Sequence, residues 1–281
     1  MALGGLVNLN HSFSLPAAPV AQGRTAEIYV WDSSHILKLY HDWCPEDWAE
    51  YEGRIAGAIH NAGIPSPAVA GLVEVEGRRG LVYERIEGIS MLQDMNARPW
   101  RMLNHARSLA DLQIRIHRQS IEGLPSYRDR LRFDILHASA LREGLREKAL
   151  AMLDALPDAQ NVCHGDYHPG NVLLTGNGPI VIDWMTACSG SPWADVARSS
   201  LILQVGARAA GRQVHPIIRL LIKLFHRMYL QRYLSLASSP GTEVEHWMPV
   251  IAAARLNENI IPEQDALIKM IVEGLEMKQT S

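Results

Sequence analysis

Residues 161–184 read NVCHGDYHPGNVLLTGNGPIVIDW. Asn161 to Cys163 has the character of a short strand and runs into a polar loop, His164 to Asn171. Two apolar runs follow, Val172 to Leu174 and Pro179 to Ile182. Between them lies Thr175-Gly176-Asn177-Gly178, whose glycines and asparagine accept the backbone angles of a tight turn. An antiparallel hairpin is the expected result. Folding back at 175–178 returns Asp183 beside Asn171 at the open end, with Asp166 held in the same loop as Asn171. One amide oxygen and two carboxylates are therefore expected to converge.

Phosphoryl transfer needs that combination. Hard oxygen ligands hold Mg²⁺ against phosphates. A carboxylate orients an acceptor hydroxyl for in-line attack and takes its proton. Little covalent work is left, so catalysis is mainly positioning and charge stabilisation. The plainer reading is a loop and a hairpin with polar ends, and His164-x-Asp166-x4-Asn171 alone is a weak signal. Ile182-Asp183-Trp184 immediately after a hairpin favours the functional reading.

The first third of the chain reads as β-rich. Ala26 to Trp31 and His35 to Tyr40 are strand-like runs around the turn cluster Asp32-Ser33-Ser34, which suggests a hairpin. Pro45 opens a helix with Glu46 and Asp47 in its first turn, where acids suit the positive helix end, and Gly63 and Pro65 stop it. Leu81 to Ile86 is another strand, ending at Gly88. Beyond it the pattern is helical. From Pro99 to His117, residues Trp100, Leu103, Ala110, Ile114 and His117 recur at helical spacing. Further helices are expected over 138–156, 194–205, 216–236 and 264–276. His117, on an apolar face, reads as a core histidine rather than a catalyst. The stretch Glu87 to Ser90 divides a β-rich part, residues 1–88, from a helical part, residues 89–281. It is too short for a flexible linker, so a hinged pair with a cleft is expected.

Lys38 sits in the apolar run HILKLY, on the face of Ile36 and Tyr40. An exposed edge-strand lysine is the plain reading, but an ammonium inside an apolar strand needs a partner. The helix after Pro45 offers one. Glu52 lies on the stripe of Trp48, Ile55 and Ile59, whereas Glu50 lies off it and can pair with Arg54. Lys38–Glu52 is the natural ion pair. Gly23-Arg24-Thr25-Ala26, ahead of the first strand, is a turn whose glycine lets backbone come close to phosphates.

Composition narrows the classes. The 281 residues are 47% hydrophobic and 20% charged with a formal net charge of −3, which gives no electrostatic case for nucleic acid. Cys44, Cys163 and Cys188 lie far apart and form neither a disulfide framework nor a zinc spacing. The N-terminus lacks the pattern of a secretory signal. The apolar segment 217–236 is broken by Arg219, Lys223, His226, Arg227 and Arg232, so no membrane span is expected and the cytoplasm is the default compartment.

HGDYHPGN followed by VIDW resembles the aminoglycoside phosphotransferase and choline kinase-like family, distant relatives of the protein kinases. The resemblance covers about Gly23 to Arg198 and implies an α+β, bilobal protein-kinase-like fold, with a small β-rich N-lobe and a larger mainly helical C-lobe. It implies ATP, with GTP the alternative, and Mg²⁺ as cofactors. Asp166 would be the catalytic base or acceptor-orienting residue, and Asn171 and Asp183 the metal ligands. His164 would brace the loop, and Asp195, in GSPWADVAR, would hold it through hydrogen bonds. Lys38, oriented by Glu52, would meet the α/β phosphates under a turn containing Gly23 and Thr25. LVYERIEG resembles the hinge, with backbone from Glu84 to Ile86 on the adenine. The family often has an acid two residues after the Asp-Trp start; here Trp184-Met185-Thr186 departs from it.

The expected reaction is transfer of a γ-phosphoryl group to a hydroxyl of a small molecule, cationic acceptors included. Acids from Glu243 to Glu276 are plainly solvated helix faces, or else line an acceptor pocket. Glu258, in ARLNENIIP, is the one singled out. A nucleotide-binding module without turnover is the alternative. A protein kinase is disfavoured by Gly165 in the HGD loop and by the lack of a G-x-G-x-x-G turn. The sequence leaves the acceptor and the oligomeric state open.

Overall fold

The structure, a computed structural model, describes residues 15–16, 18–209, 215–239 and 241–277. In chain order the first elements are β1 (Ala21–Gln22), β2 (Ala26–Val30), β3 (His35–Tyr40), α1 (Trp48–Asn61), β4 (Val69–Val75), β5 (Arg78–Glu84), β6 (Ile89–Ser90), α2 (Met91–Ala97) and α3 (Met102–His117). Then come α4 (Tyr127–His137), α5 (Glu143–Ala155), β7 (Asn161–Cys163), β8 (Val172–Thr175), β9 (Gly178–Val181) and β10 (Cys188–Gly190). The last of the described elements are α6 (Pro192–Ala209), α7 (Pro216–Ala237), α8 (Thr242–Arg255) and α9 (Gln264–Met277). These elements form two compact units. One takes the chain up to Ser90 together with Asn171–Met185; the other takes Met91–Gly170 and the chain from Thr186 onward.

The first unit is built on an antiparallel sheet of order β1-β2-β3-β5-β4. Strand periodicity splits HILKLY between its faces. Leu37 and Leu39 are buried with Tyr29, Val73, Val75 and Val82 on one face. Lys38 and Tyr40 point the other way, toward α1, which buries Glu52, Ile55 and Ile59. The helix starts at Trp48, later than Pro45 suggests: Glu46 and Asp47 precede it, and Glu50 is the acid of its first turn. Beyond it, Gly63 takes a φ of 77°. β4, which the sequence reading missed, joins β5 through Glu76 and Gly77, both at positive φ, as a two-residue hairpin turn requires.

A second sheet of this unit has the order β6-β8-β9. Thr175 pairs with Gly178, and Gly178 has a φ of 111°. The Val181 amide donates to the Pro65 carbonyl at 2.8 Å, tying this hairpin to the segment after α1.

The second unit is mainly helical. α3 packs on α7, and α8 on α6 and α9. β7 and β10 form a short antiparallel pair in which Cys163 lies opposite Cys188. The inward face of α3 differs from the expected stripe. A 3₁₀ turn, Pro99–Arg101, precedes the helix and resets its phase, leaving Trp100 76% exposed and Leu103 on the surface. The buried face carries Met102, His105, Ala106, Leu109, Ala110, Gln113, Ile116 and His117. Residues 138–142 are not helical, and α5 begins at Glu143. Among the described residues no helix is long and apolar enough to cross a membrane.

Candidate active site

In the first unit the side chains of Lys38, Glu52 and Asp183 meet. The Lys38 ammonium donates to both Glu52 oxygens at 2.8 and 2.9 Å and to Asp183 Oδ1 at 2.9 Å. Glu52 is buried and also accepts from the hydroxyls of Tyr40 and of Tyr83, the latter at 2.9 Å. A buried carboxylate with four donor contacts is a fixed anchor. Burial works against the lysine charge, but Glu52 and Asp183 outweigh it and hold the Lys38 pKa above its ordinary value. Both tyrosines are pushed up, first by burial and then by Glu52, so they remain donors.

Asp183 stands where β9 ends. The ladder continues one bond beyond the strands, with the Ile182 amide on the Asn171 carbonyl at 3.0 Å, so Asp183 leaves the hairpin at its Asn171 end. Its φ of 64° is left-handed, which costs a non-glycine residue about 1–3 kcal/mol and persists only where the surroundings enforce it. The next residue, Trp184, is buried and donates from Nε1 to the Val181 carbonyl at 2.9 Å. The Asp183 side chain is 47% exposed. Asn171 and Asp183 thus offer hard oxygens at one end of one hairpin, the donor chemistry that suits Mg²⁺. Among the described residues no cluster of three or more His, Cys, Asp or Glu is placed to hold a metal.

In the second unit the loop of Asp166 hangs from Asp195. That carboxylate, fully buried on α6, accepts from the His164 amide at 3.2 Å and the Gly165 amide at 2.7 Å. It also meets Gln113 Nε2 at 3.1 Å and His117 Nε2 at 3.0 Å. Burial alone would raise its pKa, but the His117 hydrogen bond and the other donors hold it below the usual carboxylate range. His117 reaches Tyr233 with its other nitrogen at 2.6 Å and is thereby a satisfied core side chain. His164 Nδ1 accepts from the Asp166 amide at 3.2 Å. Gly165 has a φ of 78°, and a Cβ there would lie 2.6 Å from the Thr186 carbonyl oxygen, so only glycine fits. The Thr186 hydroxyl closes the loop by donating to the His164 carbonyl at 2.8 Å.

Asp166 is 35% exposed, with His168 Nε2 at 3.7 Å and Arg198 Nη2 at 3.9 Å. Burial pushes its pKa up, yet His168 and Arg198 prevail and hold it well below the usual range. Glu258 belongs to the same unit, and its carboxylate is engaged by Arg198 and Arg255. Asp166 and Glu258 thus share the Arg198 guanidinium.

Gly23 and Thr25 form the turn between β1 and β2, closed by the Gly23 amide on the Ala26 carbonyl at 2.8 Å. Glu84 ends β5, and its amide donates to Ala68; Ile86 follows the strand and is partly buried. The sequence reading missed Tyr83, Gln113 and Arg198 as supports. Only Arg198 carried a signal, three positions after Asp195 and so on the same helix face.

Residues 17–228 match the family model described as the phosphotransferase enzyme family. Among solved structures, an ADP-bound aminoglycoside phosphotransferase, APH(2'')-Ib, is 17% identical, with 92% of this chain and 91% of that one covered and a TM-score of 0.58. APH(3'')-Id from Streptomyces rimosus is 19% identical over 82% of this chain and 89% of that one, TM-score 0.53. A choline kinase from Cryptosporidium parvum is 15% identical over 95% and 89%, TM-score 0.56. No curated protein matches the chain. At these identities the likeness shows the fold, α+β and protein-kinase-like, with the antiparallel sheet toward the N-terminus and the helices toward the C-terminus.

Proposed function

The chain belongs to the phosphotransferase enzyme family, and from that premise we propose that it is a small-molecule kinase. It moves the γ-phosphoryl group of ATP, with GTP the alternative donor, to a hydroxyl of a small acceptor. The observation that carries this reading is the Lys38 ammonium shared between buried Glu52 and partly exposed Asp183. That arrangement presents a permanent positive charge beside a metal-competent carboxylate, as triphosphate binding demands.

Each residue then has one task. Lys38, fixed by Glu52, faces the α/β phosphates. Asn171 and Asp183 would hold Mg²⁺, which when bound draws phosphate oxygens together and offsets their charge. The Gly23–Thr25 turn covers the phosphates, and backbone at Glu84 and Ile86 takes the adenine edge. Asp166 orients the acceptor hydroxyl. As the acceptor oxygen bonds to Pγ and the bond from Pγ to the ADP oxygen breaks, the hydroxyl proton passes to Asp166. Its depressed pKa makes it a weak base, which suits a loose transition state in which orientation matters more than early proton removal. Asp195, His164 and Gly165 keep that carboxylate where the loop puts it. Aminoglycosides and other hydroxylated metabolites, cationic ones included, are the acceptor class. The three free thiols, Cys44, Cys163 and Cys188, suit the cytoplasm as the setting.

The test is ADP release measured against a panel of hydroxylated acceptors. Asp166→Asn is expected to keep Mg-ATP binding and lose acceptor-stimulated release; full release in that variant would refute the role. Nucleotide binding by the wild type with no transfer to any acceptor would make the chain a regulatory module instead.

A further inference from the structure

Arg198 connects the helical layer of the second unit to the Asp166 loop. Its Nε donates to the Gly165 carbonyl at 3.2 Å, the carbonyl of the peptide that leads into Asp166. Its Nη2 bonds Glu258 Oε1 and stands 3.9 Å from Asp166 Oδ1. Glu258 is gripped from its other side by Arg255 Nη1, at 3.2 and 3.1 Å to its two oxygens. Arg255 is fixed in turn by fully buried Glu263, through bonds of 2.7 and 3.0 Å. The result is a file of alternating charge: Asp166, Arg198, Glu258, Arg255, Glu263.

The geometry points to Arg198 as a positioning residue that fixes the Gly165–Asp166 peptide and aims the Asp166 carboxylate, with Glu258 serving as its clamp rather than as a contact to the acceptor. This rests on the kinase reading above. The physical case lies in how the guanidinium is shared. The planar guanidinium holds Nε and Nη2 at a fixed spacing, so one rigid group serves the Gly165 carbonyl and the Glu258 carboxylate in set directions. At 3.9 Å from Asp166, Arg198 supplies charge without a close bidentate pair, which would occupy both carboxylate oxygens. Glu258 draws the guanidinium to itself and so keeps it from closing on Asp166. Both Glu258 oxygens already have arginine partners, a poor state for a residue that must also receive a cationic substrate.

The experiment compares Arg198→Met, Arg198→Lys, Glu258→Gln and the Arg198→Met/Glu258→Gln pair. Two readouts are taken: steady-state kinetics, and amide hydrogen exchange of peptides covering residues 161–170. Arg198→Met is expected to lower kcat by about 100-fold, the effect of a misplacement near 1 Å, with the KM for ATP unchanged. Arg198→Lys recovers little, because an ammonium lacks the rigid donor spacing that reaches the Gly165 carbonyl and Glu258 together. Glu258→Gln lowers kcat at saturating acceptor and leaves acceptor KM alone. The double variant is no worse than Arg198→Met, since the two act as a unit. Retained kcat in both Arg198 variants overturns the inference. So does a Glu258→Gln enzyme with raised acceptor KM and intact kcat, which would put Glu258 on the substrate. Exchange across 161–170 is expected to quicken in Arg198→Met while β2–β5 stay protected, and an unaltered loop overturns the inference whatever the kinetics. Should Arg198→Met not fold, Arg198→Lys and Glu258→Gln carry the same comparison. Quickened loop exchange in Arg198→Met, beside a wild type that transfers to no acceptor, sinks the kinase reading and leaves the positioning role standing.

Discussion

Lys38 and Asp183, 145 positions apart in the chain, are joined by a 2.9 Å ion pair inside one compact unit. The contact exists because β3 turns its polar face toward α1 and because the β8–β9 hairpin, though distant in sequence, folds onto the same unit. Lys38 therefore anchors two carboxylates at once.

Removing that lysine strands Glu52. Lys38→Met leaves a buried carboxylate with tyrosine hydroxyls but no counter-charge, a change expected to cost about 3–5 kcal/mol of stability. Urea unfolding measures it. Adding Glu52→Gln should return part of the loss, because the second change removes the orphaned charge. A double variant less stable than Lys38→Met would show that Glu52 is held by something other than this pair.

Asp183→Asn keeps the shape of the side chain and removes its charge. Calorimetry of ATP binding with and without Mg²⁺ is the measurement. The wild type should bind ATP more tightly with the metal present, and the variant should lose most of that gain. An undiminished Mg²⁺ effect would move the metal off Asp183.

Asp195 sets a pH dependence. Its carboxyl is held below the ordinary range, after burial is outweighed by His117 and the loop amides. Such a group contributes stability that is fully present above the unfolded carboxyl pKa of about 3.9 and is lost as pH falls through the folded value. Asp195→Asn removes the charge and turns an amide donor on the donors of one of its two oxygens, so a loss of about 1–3 kcal/mol is expected at neutral pH. The gap between wild type and variant should narrow as pH falls below about 4. An unchanging gap would mean the carboxylate charge is not the source.

Gly165→Ala pits a methyl against the Thr186 carbonyl in a left-handed backbone, an expected cost of about 1–3 kcal/mol. Phosphoryl transfer should suffer more than nucleotide binding. Gly63→Ala is the control: Gly63 has a similar φ of 77°, but a Cβ there would meet nothing within 4 Å. It should lose only the backbone penalty, about 1 kcal/mol, and keep activity.

The segment of the β8–β9 hairpin was legible because its signals are local. A turn sequence between two apolar runs fixes the β8–β9 hairpin, and Glu52 falls on the inward stripe of its own helix. Other elements defeated local reading for identifiable reasons. α4 is dense with Arg and Asp, which blurs its apolar period. α8 carries Pro249 in its interior. The β4–β5 turn uses Glu-Gly, a weaker signal than Asn-Gly. Trp100 fell off the expected stripe because the 3₁₀ turn ahead of α3 changed the phase, which no periodicity count includes. The partnership of Arg198 with Glu258 depends on how α6 packs against the segment after α8, a tertiary fact with no sequence spacing of its own.

The first unit is assembled from two separated stretches of chain. A nascent polypeptide leaving the ribosome delivers β1 to β6 well before β8 and β9 exist. Until Val181 emerges the Pro65 carbonyl waits for its donor, and until Leu173 and Leu174 emerge Ser90 and Ile89 wait for their strand partners. The five-stranded sheet has all its strands early, but the unit as a whole is complete only once β8 and β9 arrive. A gene fragment cut after residue 90 would encode all five strands of the larger sheet but leave β6 without β8 and Lys38 without Asp183.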